Sequence, residues 1–517
     1  MNTNTEMTKQ QKTVATAAIF LALAEVLFFN AMARTVGTYI TADLGDVGLY
    51  TFMNTIFFLC STLAMPLACK LGDIFGRRNL IMTGIAIYSV SMLLAGFSTT
   101  MMMHVIFRGG QGLGQGFMLA NCLTALGEIH TGPNKAKYLG MYGTITGICN
   151  IFGPTIGGVI YDAMGWRAVF YATIVIGALV VGMLLTQYPN KKKEVAPAID
   201  IPGFLLLAVA ATCAVLAFNW VGTRGWTDGL ILALLAVTVV GAIAFVTVEK
   251  RSKDALIPMD LFGNKYFVLC LLAACAIWPC MFASNAYFTL YAQAVRGMTG
   301  TASGAILSAQ AIINTLAGVV AGYLIAARKG RIKEIMIAII GLYAVSMFLQ
   351  STCTATTPIW LLYVMMGIIG FGNGAVMGAF TAGIQGNLPK EKISGGTATL
   401  QCFQSLTGTI GLSIMGLILN TTFAGKLAHV VPDGLLNTVT QEQLAPFLNA
   451  GTLMNKGPAQ EFMAALPAEA QGLFATLLDN VNSAYAGSLR VVFIVLLCLL
   501  AIALVSMLLL KEQKPEG

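Results

Sequence analysis

Fourteen apolar runs divide the 517-residue chain, centred near residues 25, 58, 89, 113, 149, 177, 209, 237, 278, 313, 343, 370, 408 and 499. A helix needs about 20 such residues to cross hydrocarbon. The runs show no strict alternation, so they read as helices rather than barrel strands, the only two ways to satisfy every backbone group in lipid. Charged residues make up 10% of the chain, against about 25% in soluble domains. The expectation is an all-α integral membrane protein, multi-pass in the cell membrane. The first run, Thr13 to Val36, holds Glu25 and Asn30 and lacks a cleavage site, so it is expected to be a retained span.

Basic residues fix an orientation. Alternate loops carry Lys9/Lys12, Lys70/Arg77/Arg78, Lys135/Lys137, Lys191–Lys193, Lys250/Arg251/Lys253/Lys265, Arg328/Lys329/Arg331/Lys333, Lys390/Lys392 and Lys511/Lys514. Together these are 22 of the 30 basic residues. The positive-inside rule then puts both termini in the cytoplasm. The net charge of +8 is spread over these loops and implies no nucleic-acid partner. Eleven cysteines lie mostly inside apolar runs, with no C-x-x-C pair, and only His104, His130 and His429 join them. No disulfide framework, metal site or cofactor is expected.

Three polar clusters stand out. Cys69-Lys70-Leu71-Gly72-Asp73-Ile74-Phe75-Gly76-Arg77-Arg78 forms a short charged turn between two apolar runs, which belongs at a membrane surface. The fourth run reads Phe107-Arg108-Gly109-Gly110-Gln111-Gly112-Leu113-Gly114-Gln115-Gly116. No strand precedes these glycines and no Lys-Ser/Thr follows, so they serve close helix packing rather than phosphate. The fifth run carries Gly153-Pro154-Thr155-Ile156-Gly157-Gly158, a bent helix with a smooth face.

These clusters resemble, in order, motifs A, B and C of the major facilitator superfamily, and the chain is similar to its fourteen-span drug:proton antiporters. Gly-Asp-x-x-Gly-Arg-Arg matches motif A, with Cys69 in place of the usual glycine and Ile74 in place of a basic residue. The corresponding second-half turn, Gly322 to Arg331, has Ala326 where an aspartate would sit. Arg108, Gln111 and Gly112 match motif B, and Gly153, Pro154, Gly157 and Gly158 match motif C. In the first run Glu25 and Asn30 fall on the family's aspartate and asparagine, while Arg34 replaces its proline.

The resemblance implies a major facilitator fold of two six-helix bundles plus two inserted spans, alternating access, and a monomer. Residues 1–190 would form the first bundle, 191–265 the cytoplasmic linkers and inserted spans, and 266–517 the second bundle. A long outer loop, 422–488, would lie between spans 13 and 14, with short helices around Phe447, Phe462 and Phe474. Asp73, Gly76, Arg77 and Arg78 would form a latch between conformations, or only a surface anchor. The motif C face is linked in the family to export, although packing alone could explain it.

Glu25 is the one carboxylate deep in a span. Burial favours its protonated form and a nearby arginine its charged form. Glu25 would carry the proton with Arg108 tuning it; the alternative is a fixed ion pair that sets packing. Candidate cavity residues are Asn30, Gln111, Gln115, Asn285, Gln310, Asn314 and Gln401, among aromatic and methionine side chains suited to apolar ligands. With no membrane carboxylate in spans 9 to 14, neutral, anionic or monocationic amphiphiles are expected over dications. The expected activity is proton-coupled export of amphipathic small molecules, not an enzyme reaction. Transport of one physiological amphiphile, such as a bile acid or fatty acid, is the alternative. A membrane-embedded enzyme or a non-transporting sensor is more remote: no intramembrane catalytic constellation and no appended soluble domain is visible.

Overall fold

The computed structural model describes residues 7–45, 49–130, 133–190, 200–252, 257–327, 332–389, 392–427, 429–454 and 457–510. The basic segments 191–193 and 328–331, together with Lys253, Lys390, Lys511 and Lys514, lie outside them. Among the described residues there is no strand.

The first half contains α1 (Lys9–Asp43), α2 (Tyr50–Phe75), α3 (Arg77–Gly96), α4 (Met101–Ile129), α5 (Pro133–Met164) and α6 (Trp166–Gln187). Two helices follow, α7 (Ile201–Arg224) and α8 (Gly229–Glu249). The second half contains α9 (Lys265–Leu290), α10 (Gly300–Ala327), α11 (Ile332–Ser351), α12 (Ile359–Asn387) and α13 (Ile393–Leu427). Short α14 (Gln441–Leu444), α15 (Gly451–Met454) and α16 (Gly457–Ala465) precede α17 (Ala468–Leu509).

Local chemistry sets the helix ends. Thr8 caps α1 in a reciprocal capping box with Gln11, and Asp228 and Asn264 cap α8 and α9 with their side chains, each satisfying an orphan N–H. Gly76 alone joins α2 to α3, at φ +92°, and Gly165 alone joins α5 to α6, at φ +77°. Only glycine takes that backbone conformation without strain.

Among the described residues, thirteen helices are long and apolar enough to cross a membrane. The one long helix outside that set is α4, 29 residues, whose glycines, glutamines, Arg108 and Asn121 lower its hydropathy. It packs between α2 and α3. Fourteen crossings are expected from sequence; thirteen helices meet the length and composition of a span, and α4 is not among them.

Helices α1–α6 pack around a core containing Ile19, Phe29, Tyr88 and Phe170. Helices α9–α13 and α17 surround a second core with Phe267, Tyr287, Tyr343, Phe380 and Phe493. The bundles meet where α5 crosses α10 and α2 crosses α13. Helices α7 and α8 form a hairpin that leans on α13 and α2 through α7. On α8, Leu232, Val239, Val240 and Ile243 are exposed, a face suited to lipid rather than water.

The connection expected over 422–488 is shorter. Helix α13 continues to Leu427 and α17 begins at Ala468. The helically spaced Phe474, Leu477, Val481 and Tyr485 are buried, so this stretch is the first half of one 42-residue helix, about 60 Å long. The segment before it folds back as a cap, in which Phe474 packs against Phe447 and Phe462 with ring centres 5.1 Å apart in each pair. Phe474→Ala should cost about 3–5 kcal/mol of local stability. Limited proteolysis would then cut within 429–467 at least several-fold faster, with the membrane helices still resistant; unchanged protection would refute this packing role.

Candidate functional site

The charged turn is built around one guanidinium. Arg77 is 4% exposed and begins α3. Its Nη1 donates to the Cys69 carbonyl (2.6 Å) and Asn121 Oδ1 (3.2 Å), its Nε lies 3.3 Å from Glu128 Oε1, and Nη2 pairs with Asp73. A single side chain therefore ties α2, α3 and α4 together. Arg78 reaches the Tyr188 carbonyl at 3.3 Å. A Cβ at Gly72 would collide with Asn121 and Arg77, so the fork needs that bare backbone. The described partners of Arg77 all belong to the first bundle.

Motif C lies between two helices. Gly153 and Gly157 seat α5 on Ala31 and Met32 of α1, and Gly158 meets the backbone of Gly300 at the start of α10. Pro154 presents its carbonyl to Gly304 one turn further. Such approach lets backbones pack without intervening side chains. Thr155 and Ser308 hydroxyls share a 2.7 Å hydrogen bond across the same crossing.

The bundles are sealed at the face carrying the C-terminal end of α1. There Gln293, in the π turn that ends α9 (Tyr291–Val295), donates to the Thr35 carbonyl at 3.0 Å and accepts from Thr38. Tyr39 donates to the Met298 carbonyl at 3.1 Å, and Asp162 accepts from the Thr301 backbone at 3.0 Å.

Beneath this seal, between α1, α2, α4, α5, α9 and α13, lies a cavity of about 260 Å³. Asn30, Arg34, Asn54, Arg108 and Asn150 give it a polar wall, and Phe58, Met281, Phe282 and Leu412 an apolar one. Phe58 and Phe282 face each other across the bundles, ring centres 4.7 Å apart.

Of the cavity residues expected from sequence, Asn30 and Asn285 line it. Gln115 accepts from Asn30, and Gln111 accepts from Arg108 at 2.8 Å, so both stand just behind the wall. Gln310 and Asn314 do not line it; their carbonyls pack on Gly370 and Gly374 of α12. Gln401, exposed on α13, does not line it either. Arg34 was read only as a departure from a motif, yet it projects into the cavity.

Glu25 and Arg108 are each 3% exposed, and they do not form an ion pair. The guanidinium stacks over Phe57, 4.4 Å from its centre, and lies 5.8 Å from that of Phe29. Cation–π attraction replaces the carboxylate partner that burial seemed to demand. Glu25 points away from the cavity, toward Ser89 of α3 and Gly177 of α6, and neither carboxyl oxygen has a protein hydrogen-bond partner. Tyr88 lies in the field of both Glu25 and Arg108, and its hydroxyl is also buried and unpartnered.

Replacing Arg77 tests the three-helix tie. Arg77→Ala leaves buried acceptors behind and should cost about 3–5 kcal/mol, seen as a lower unfolding temperature in detergent. Arg77→Lys keeps the charge but not the fork and should fall between. A wild-type unfolding temperature for Arg77→Ala would refute the tie.

Comparison with known proteins agrees with this architecture. The chain is 28% identical over 479 residues to multidrug transporter protein MdtP of Bacillus subtilis, covering 92% of this chain and 86% of that one. It is 26% identical over 513 residues to multidrug resistance protein 3 of the same organism, covering 98% and 97%. Among solved structures, a bacterial homologue of the human lysosomal transporter Spinster in an inward-facing, unoccupied conformation superposes with a TM-score of 0.61 at 12% identity, over 97% of this chain and 98% of that one. The family profile described as Major Facilitator Superfamily matches residues 14–412, and the chain belongs to that family as a multi-pass membrane transporter.

Proposed function

We propose that the protein exports amphipathic small molecules from the cell in exchange for protons, by rocking of α1–α6 against α9–α13 and α17 around the central cavity. In this reading α4 is a fourteenth span, both termini are cytoplasmic and the sealed face is external. The cavity is then shut toward the outside. Relatives named as multidrug transporters support an efflux role.

The observation that carries the proton-coupling step is Glu25, a buried carboxyl with no protein hydrogen-bond partner, set behind the cavity wall rather than in it. A lone carboxylate in such surroundings is costly, which suits a group that exchanges a proton as water access changes. Protonated, it leaves Arg108 to Phe57, Gln111 and the cavity. Ionised, it draws the guanidinium inward past Tyr88. Proton and substrate thereby compete for one arginine without sharing a binding site. The Asp73–Arg77 cluster serves as the latch that steadies the first bundle through this motion, and motif C lets the outer face close.

In proteoliposomes with an imposed proton gradient, Glu25→Gln should lower gradient-driven transport at least about tenfold while preserving substrate counterflow, since removing one titratable site uncouples the cycle without removing the cavity. Full gradient-driven transport by Glu25→Gln would sink the proton-carrier role. Separately, Gly158→Leu should hold α5 off α10 and open the sealed face. A Thr38→Cys probe in a cysteine-depleted background would then react faster with an impermeant maleimide than it does beside Gly158. Equal reactivity would count against that seal.

A further inference from the structure

The cavity holds two arginines and no acidic residue among the described residues that line it. Arg34 lines the cavity and is exposed to solvent, and no described carboxylate lies within ion-pair distance of it. Arg108 shares the same wall, its Nε buried without a partner. Tyr50 lines the same cavity. The deep carboxylate, Glu25, faces α3 and α6 instead. Asn30, Asn54 and Asn150 add amide groups beside the cations, and the facing wall is aromatic and aliphatic apart from Asn285.

We infer that this cavity selects amphipathic organic anions, with a carboxylate, sulfonate or phosphate head between Arg34 and Arg108 and an apolar body against Phe58, Met281 and Phe282. As a substrate class this rests on the export cycle proposed above. Two like charges facing a small, partly enclosed space repel a cationic ligand and reward an anionic one. Arginine suits the role because its fork meets planar oxyanions with paired N–H donors. Neutralisation by the ligand also fits the exchange with Glu25: an anion on Arg108 weakens the pull of the ionised carboxylate, so substrate and proton release stay linked.

The test uses the full-length protein in proteoliposomes with three probes: anionic 8-anilinonaphthalene-1-sulfonate, neutral N-phenyl-1-naphthylamine and cationic ethidium. The wild type should move the sulfonate in preference to ethidium. Arg34→Gln should lower sulfonate transport about tenfold but transport of the neutral probe by no more than about threefold, and Arg34→Lys should keep sulfonate transport within about threefold. Equal sulfonate transport by Arg34→Gln, or preference for ethidium in the wild type, overturns the inference. Should Arg34→Gln fail to fold, Asn54→Asp adds a carboxylate to the same wall and should shift preference toward ethidium; an unshifted preference overturns it. If no probe responds to the gradient, the export cycle fails, and binding of the sulfonate to purified protein decides the site separately. Binding weakened by Arg34→Gln supports the anion site, and its absence in the wild type overturns it.

Discussion

Close approach of bare backbone between helices is the constraint on which this architecture rests. In lipid there is no hydrophobic force to press helices together, so van der Waals fit must do it. The glycines supply that fit at several principal crossings. Gly112 and Gly116 of α4 rest on the carbonyls of Phe57 and Ser61 in α2, and Gly114 meets Gly84 and Tyr88 of α3. Gly370 and Gly374 accept the carbonyls of Gln310 and Asn314 from α10. Gly158 and Gly304 do the same between the bundles. A side chain at any of these points would separate the helices or displace a neighbour.

Tight packing also explains why the polar groups lie where they do. With α4 wedged between α2 and α3, Arg108 has aromatic rings and Gln111 within reach but no carboxylate. With α6 bare at Gly177, Glu25 finds room on the side opposite the cavity. The two deep charges are neighbours in one bundle without being partners. This separation excludes the fixed ion pair that spacing and burial left open.

Much of the fold was legible because membrane helices announce themselves by length and composition. The turn at Gly76 and the bend region around Pro154 were equally plain, since glycine and proline restrict the backbone in known ways. The 468–488 segment was misread as loop because its apolar residues are diluted by Asp479, Asn480, Asn482 and Ser483, and only tertiary packing shows that it continues a span. The cavity was harder. Asn30 and Asn285 were identified, but Gln310, Asn314 and Gln401 were not distinguishable from them, because a helix exposes polar residues on any face and sequence gives no rotation. Arg34 was noted only where a motif expects proline, and no sequence signal placed it on the cavity wall.

The unbroken α17 has a mechanical meaning. Its first half is part of the cap and its second half is part of the second bundle, with no hinge between them. The cap also leans on the other bundle, where α15 touches α1. A stiff rod of this kind transmits rotation over its whole length. Tilting the second bundle must drag the cap across α1, so a rocking motion cannot keep both ends of that attachment intact. In the proposed cycle the cap would act as an outrigger, steadying the sealed arrangement and yielding when the halves part.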